Sequence, residues 1–296
     1  MHVGIAGLGR MGGNMALRLR ETGNEVTVWN RTADKLKPAV EAGCKAADSP
    51  KAVAEASDAI ITILTNKDSI AQVYEGPNGI LSGNIAGKLV IEMSTVQPET
   101  EVALAAKVRA KGAAFLECPV GGTTGPARQG KLLGVAGGTK ADFDRAKPLL
   151  DQLCRRADLV GDVGAGSAMK LALNLPLLVY YQVLGEACTL VDRFGVDKKW
   201  MMEFLSETSG GPNVLKNRGP AIAGVFEGKD PGPVTIDIAG LLKDLKTMSA
   251  EAAVTGAKLP VTEAAIAVYE QAAKEGWGPK DVVYAPSYWA KHRKGK

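Results

Sequence analysis

The sequence predicts an α/β domain with a mostly parallel, doubly wound sheet, followed by an all-α helical domain. Three observations carry that prediction. Short apolar runs alternate with amphipathic stretches from the start of the chain. Strand-like runs stop near residue 160, and apolar patterns at helical spacing take over. At 296 residues the chain is also too long for one ordinary core, so two domains follow from length alone.

Residues 3–6, 25–29, 59–64, 89–93, 113–117 and 132–136 read as strands, and 157–160 as one more. Between them, residues 11–22 and 100–111 have the apolar stripe of surface helices. After Gly166, residues 168–194 read as one long, largely apolar helix, followed by helices at 198–207, 236–255 and 261–274. The run Gly161-Asp162-Val163-Gly164-Ala165-Gly166 marks a connection. The predicted domains are therefore 1–162 and 163–296.

Composition excludes several classes. With 46% hydrophobic and 23% charged residues, the chain has the profile of a globular protein. The apolar run 171–184 contains Asn174, Pro176 and Gln182 and falls short of a membrane span, so no membrane partner is expected. A strand pattern begins at the third residue and leaves no room for a signal peptide, which predicts a cytoplasmic location. The net charge of +4 is carried by Lys291, Arg293, Lys294 and Lys296 in the tail, read as a solvated terminus, and no nucleic-acid partner is expected. Cys44, Cys118, Cys154 and Cys188 are scattered without metal spacing, so buried free thiols and no metal are expected.

Gly7-Leu8-Gly9-Arg10-Met11-Gly12 stands directly after the first strand and before the first helix. In such a turn the first glycine bends the chain, the second admits a pyrophosphate, and the third lets helix and strand touch. The amides and dipole of the helix N-terminus then face the phosphates. Strand, turn, helix and second strand within about thirty residues make this a Rossmann dinucleotide site. The second strand ends in Asn30-Arg31-Thr32, without the acid that would hold a ribose diol. Arg31 and Thr32 suit a 2′-phosphate, which favours NADP(H), with NAD(H) the other cofactor open to the fold.

The proton chemistry narrows by elimination. His2 lies on the first strand and His292 in the tail, so a histidine acid–base pair is excluded; a Tyr-x-x-x-Lys pair is absent as well. Lys170 and Asn174, at i and i+4 just past the domain boundary, share one helix face. A lysine on a helix is ordinarily a surface residue. Here its neighbours are Ala168, Met169, Leu171, Ala172 and Leu173, a setting that disfavours the ammonium form and suits acid–base work. Residues 117–130 follow a strand and are rich in glycine. Gly121 and Gly122 offer backbone amides and Thr123 a hydroxyl to a substrate carboxylate, though an ordinary tight loop has the same composition.

Over essentially its whole length the sequence resembles the β-hydroxyacid dehydrogenase family, which includes 3-hydroxyisobutyrate dehydrogenases and relatives acting on semialdehydes. The resemblance rests on five motifs in the family's order: the 7–12 turn, Ser94-Thr95, Pro119-Val120-Gly121-Gly122, Gly164-x-Gly166-x-x-x-Lys170-x-x-x-Asn174, and Lys243-Asp244-Leu245. It implies a dinucleotide along the 7–12 turn, with Leu64, Thr65 and Thr95 nearby, Arg31 at the adenosine ribose and Lys243 on the cofactor side. It implies that Lys170 is the acid–base group, that Asn174 holds the substrate, and that the chain forms a homodimer or homotetramer. The implied reaction is hydride transfer between NADP(H) and a small 3-hydroxy acid or acid semialdehyde. Gly121 stands where many relatives have serine, and Leu173 where many have a second asparagine. Two alternatives share the fold: an imine reductase, and a non-catalytic NADP-binding module for assembly.

Overall fold

A computed structural model describes residues 1–254 and 256–292, apart from the side chains of Thr189 and His292. Arg293, Lys294 and Lys296 of the basic tail, and the predicted helix end at Thr255, lie outside the described residues. The chain divides into two compact units, Met1–Leu171 and Ala172–Lys296.

The first unit is a sheet wrapped by helices. Its strands are β1 (His2–Ala6), β2 (Glu25–Trp29), β3 (Lys45–Ala46), β4 (Ala59–Thr62), β5 (Leu89–Glu92), β6 (Ala114–Glu117), β7 (Val120–Gly121), β8 (Leu132–Gly137) and β9 (Cys154–Gly161). They lie in the order β3-β2-β1-β4-β5-β6-β8-β7, with β9 beside β8. The first six strands pair in parallel; β8 runs antiparallel to β6 and β7 and parallel to β9. The helices are α1 (Arg10–Glu21), α2 (Lys37–Glu41), α3 (Pro50–Glu55), α4 (Lys67–Glu75), α5 (Pro98–Ala110), α6 (Thr124–Gln129) and α7 (Lys140–Leu153).

Apolar runs form the strands because both faces of this sheet are covered. Ile5, Ile61, Ile91 and Leu116 point into one cluster, with Met15 and Leu19 of α1 and Leu149 of α7. Their neighbours Ala6, Ile60, Val90 and Phe115 point into the other, with Tyr74 of α4 and Leu104 of α5. Each fully buried aliphatic side chain contributes about 1.5–3 kcal/mol by leaving water. The register then places Trp29, Ala6, Thr62, Glu92, Glu117, Gly137 and Gly161 in one row across the sheet. From that row the chain leaves the carboxyl ends of the parallel strands, where α/β proteins bind ligands.

Helix α8 (Ala165–Val191) starts in the first unit and continues into the second. The second unit adds α9 (Lys198–Glu207), α10 (Asn213–Phe226), α11 (Ile238–Val254), α12 (Pro260–Lys274) and α13 (Ala285–His292). Beyond β9, extended pairing among the described residues is confined to an isolated bridge between Asp237 and Asp281. Pro176 lies inside α8 without ending it. By length and composition alone, Ala165–Cys188 is long and apolar enough to cross a membrane, a test that a helix packed in a protein core passes as well, and part of it is buried within the protein. The four cysteines are free and buried, as expected. In the second unit Leu190 and Phe194 are exposed, and exposed Trp200 stacks on Phe204.

Candidate active site

At the end of β1 the chain turns through Gly7 at φ +107°, where a Cβ would stand 2.6 Å from the Ile63 carbonyl oxygen. A Cβ on Gly12 would stand 2.0 Å from the Gly7 carbonyl oxygen, so α1 packs on the turn only because position 12 has none. Gly9 differs: a Cβ there would meet nothing within 4 Å. Gly9 is also the N-cap of the twelve-residue α1, and no side chain caps it. A helix start without a capping side chain, open on its outer side, fits the diphosphate of a dinucleotide.

The second strand end braces this turn. The Leu8 amide donates to Asn30 Oδ1 at 3.0 Å, and Asn30 Nδ2 donates to the Thr32 carbonyl at 2.9 Å. Asn30, expected as a cofactor residue, also braces the loop with both ends of its side-chain amide. Arg31 and Thr32 beside it are exposed.

The third and fourth loops are tied together. The Leu64 amide donates to Ser94 Oγ at 2.7 Å, the Ser94 amide donates to Glu92 Oε2 at 2.7 Å, and the Ser94 hydroxyl donates to Glu92 Oε1. Exposed Thr65 and half-buried Thr95 follow directly on these anchors. Beneath them Thr62 Oγ1 meets Tyr74 Oη at 2.6 Å and reaches Glu92 at 3.4 Å.

At the next strand end, buried Glu117 collects three donors from the beginning of α8: the amides of Gly164 and Gly166, and the hydroxyl of Ser167. Lys170 lies one turn further on and is only 6% exposed. The glycine turn, the paired loops and this lysine all belong to the first unit.

Comparison with known families fits this geometry. The model for the NAD-binding domain of 6-phosphogluconate dehydrogenase matches residues 2–161, and that for the NAD-binding of NADP-dependent 3-hydroxyisobutyrate dehydrogenase matches 164–287. The chain belongs to the β-hydroxyacid dehydrogenase family. It is an NAD(P)-dependent oxidoreductase. It is 33% identical to the mitochondrial 3-hydroxyisobutyrate dehydrogenase of Mus musculus, over 94% of this chain and 84% of that one. It is 31% identical to glyoxylate/succinic semialdehyde reductase 1 of Arabidopsis thaliana, over 95% and 96%. Among solved structures, the 3-hydroxyisobutyrate dehydrogenase of Salmonella typhimurium superposes with a TM-score of 0.86 at 25% identity, covering 97% and 99%.

In this dehydrogenase the glycine-rich stretch is less of a loop than its composition suggests. Gly121 is a strand residue of β7, paired with Leu133, because β7 continues the line of β6 alongside β8. The exposed segment begins at Gly122, with φ +121°, and exposed Thr123 stands at the start of α6. Half-buried Asn174 follows Lys170 by one turn of α8 and belongs to the second unit. Lys243, also in the second unit, lies on α11 with its Nζ 2.7 Å from Asp244.

Sequence reasoning missed the buried acids Glu92, Glu101 and Glu117, although two of them end apolar strands, which is itself a signal. Glu101 on α5 is fully buried, and its oxygens meet no hydrogen-bond partner that could donate. As a neutral acid it can satisfy itself by giving its proton to Glu92. Burial, then the charge of Glu92, pushes Glu101 well above the carboxylate range. Burial pushes Glu92 up to about 7, against the hydrogen bonds from Ser94, Glu101 and Thr62. The folded chain therefore keeps protons at pH values where an unfolded chain, with carboxyls near 4.5, has lost them. Stability is expected to fall as pH rises from 4.5 through about 7. Glu101→Gln supplies a permanent donor and should flatten that slope. Thermal melts between about pH 5 and 8 check it; parallel curves for both proteins would rule out proton sharing.

Proposed function

We propose that this dehydrogenase moves a hydride reversibly between NADP(H) and a small 3-hydroxy acid or the corresponding acid semialdehyde, with Lys170 as its acid–base group. The observation that carries the proposal is a buried lysine on a helix whose start is fastened to the carboxyl edge of the dinucleotide-binding sheet. Gly7, Leu8, Gly9, Arg10, Met11 and Gly12 would hold the cofactor, with Leu64, Thr65, Thr95 and Lys243 beside it. When bound, the nicotinamide supplies or accepts the hydride. In oxidation, neutral Lys170 takes the substrate hydroxyl proton at Nζ; in reduction, its ammonium returns a proton to the developing alkoxide. Gly121, Gly122, Thr123 and Asn174 hold the anionic end of the substrate so that the reacting atoms stay aligned. In this division of labour, residues 1–162 supply most of the dinucleotide site, and residues 163–296 supply the acid–base group, Asn174 and Lys243.

The names of the mouse and Arabidopsis relatives support this substrate class, since each names a small acid with a hydroxyl or an aldehyde. NADP(H) is favoured because Arg31 is exposed and the strand end beside it carries no carboxylate. The exposed Leu190, Phe194, Trp200 and Phe204 suit a homodimer or homotetramer, which sedimentation at assay concentration would reveal. Buried free thiols suit a reducing compartment such as the cytoplasm.

The test is an absorbance screen with NADPH and NADH against succinic, methylmalonate and tartronate semialdehydes, glyoxylate and 3-sulfolactaldehyde. One acid aldehyde should consume NADPH strongly. Arg31→Asp should then shift preference toward NADH by roughly 10- to 100-fold, the worth of a charged hydrogen bond to the 2′-phosphate. Silence across the panel, with NADPH still bound, would overturn the proposed reaction in favour of an imine substrate or a binding role.

A further inference from the structure

Glu117 is the last residue of β6 and is fully buried, yet it carries a carboxylate. Its Oε1 accepts from the Gly164 amide at 2.6 Å and the Gly166 amide at 2.9 Å, and its Oε2 accepts from Ser167 Oγ at 2.6 Å. Three donors converging on two oxygens make the setting of an ionised carboxyl. Burial pushes Glu117 upward, and the Ser167 hydroxyl and the two glycine amides oppose that rise. The charge also sits at the positive end of α8.

Two glycines allow this close approach. A Cβ on Gly137 would stand 2.1 Å from Glu117 Oε1, and one on Gly166 would stand 2.7 Å from the Val135 carbonyl oxygen. The helix start is thereby drawn onto the sheet, at a depth and rotation set by the length of one glutamate side chain. Ser167 and Lys170 are at i and i+3, so a shift of Ser167 moves Lys170 with it. The chain that leaves Glu117 runs at once through Pro119, Val120 and Gly121 to Gly122. One carboxylate therefore stands between the acid–base helix and the segment assigned to the substrate.

We propose that Glu117 is the positioning residue for Lys170, fixing where its amine stands relative to the Gly122–Thr123 segment. This rests on the reading of Lys170 as the acid–base group. A helix held merely for stability would need no buried charge, because well-packed apolar contacts hold a helix as well or better.

Three variants test the role, each checked first for folding by thermal melt and for NADPH binding by fluorescence titration. Glu117→Asp keeps the charge but withdraws it by one methylene. It is expected to lower kcat by about 100-fold with NADPH affinity unchanged, the scale of a misplacement near 1 Å. Glu117→Gln keeps the length; its oxygen can hold the two amides while its NH2 donates to Ser167, and it should retain more activity than the aspartate. The deciding measurement is Glu117→Asp in a Lys170→Ala background. There the residual rate should be unchanged, because no amine remains to be misplaced. An equal loss in both backgrounds would overturn the positioning role. So would native turnover in Glu117→Asp and Glu117→Gln while Lys170→Ala is inactive. Native turnover in Lys170→Ala would instead remove the reading on which the role rests.

Discussion

Replacement of Lys170 by alanine is expected to lower kcat by about 10²–10⁴-fold while leaving NADPH affinity and the melting temperature close to those of the parent. That range is what a positioned acid–base group contributes, or about 2.7–5.5 kcal/mol of the barrier. Affinity should survive because the cofactor turn is built from residues 7–12 and braced by Asn30, not by Lys170. Lys170→Arg sharpens the test. Arginine keeps the positive charge and the donors, but its guanidinium does not give up a proton in proteins. If Lys170 works only by attracting an anion, the arginine variant should keep most of the activity. If it transfers a proton, both variants should fail together, with kcat and kcat/KM falling in parallel. Initial rates with the best aldehyde of the screen, with NADPH saturating, decide between the two. A Lys170→Ala protein that turned over at the parent rate would remove the acid–base assignment.

The parts of this fold that were legible in the sequence are those written in side-chain periodicity. β1, β2, β4 and β5 came through because they are largely buried on both faces and most of their residues are apolar. β3 is two exposed residues, Lys45 and Ala46, and has no pattern to read. β7 is also two residues long, and its Gly121 belongs to a run whose composition is that of a loop. The antiparallel direction of β8 was illegible for another reason: an apolar run records burial and not which way the chain runs. α10 was missed because Gly219, Pro220 and Gly224 interrupt it, although the proline lies inside the helix in the structure. In the site, the glycine turn and Lys170 were readable because their spacing is local. Glu101 was not. On α5 it looks like Glu99, and only the third dimension buries one and exposes the other. Glu117 could have been noticed, since Ala-Phe-Leu-Glu ends a buried strand on a charge. Its partners at 164–167 are some fifty residues away, and no local pattern connects them.

The glycines of the first turn give a second large effect, and three neighbouring positions separate its causes. In Gly12→Ala the new methyl would stand 2.0 Å from the Gly7 carbonyl oxygen, a backbone atom that cannot swing aside, and 2.9 Å from Ile63 Cγ2. The start of α1 must therefore lift off β1. Overpacking of this kind costs about 1–3 kcal/mol, which in a unit of this size lowers Tm by roughly 2–10 °C. NADPH affinity should fall with it, by about 100-fold or more, because the amides that would face the diphosphate move with the helix. Gly9→Ala should separate the two effects. Its methyl meets nothing within 4 Å, so Tm should hold, while NADPH binding weakens because the methyl occupies the side from which the diphosphate approaches. Gly13→Ala meets nothing within 4 Å either and lies within α1, where alanine is favoured over glycine by up to about 1 kcal/mol. It should melt slightly higher and bind normally. Thermal melts and NADPH titrations of the three variants thus assign each glycine its own duty: packing at position 12, ligand approach at position 9, and neither at position 13. If Gly9→Ala bound NADPH as tightly as the parent, the diphosphate would have to lie elsewhere, and the placement of the cofactor along residues 7–12 would fall with it.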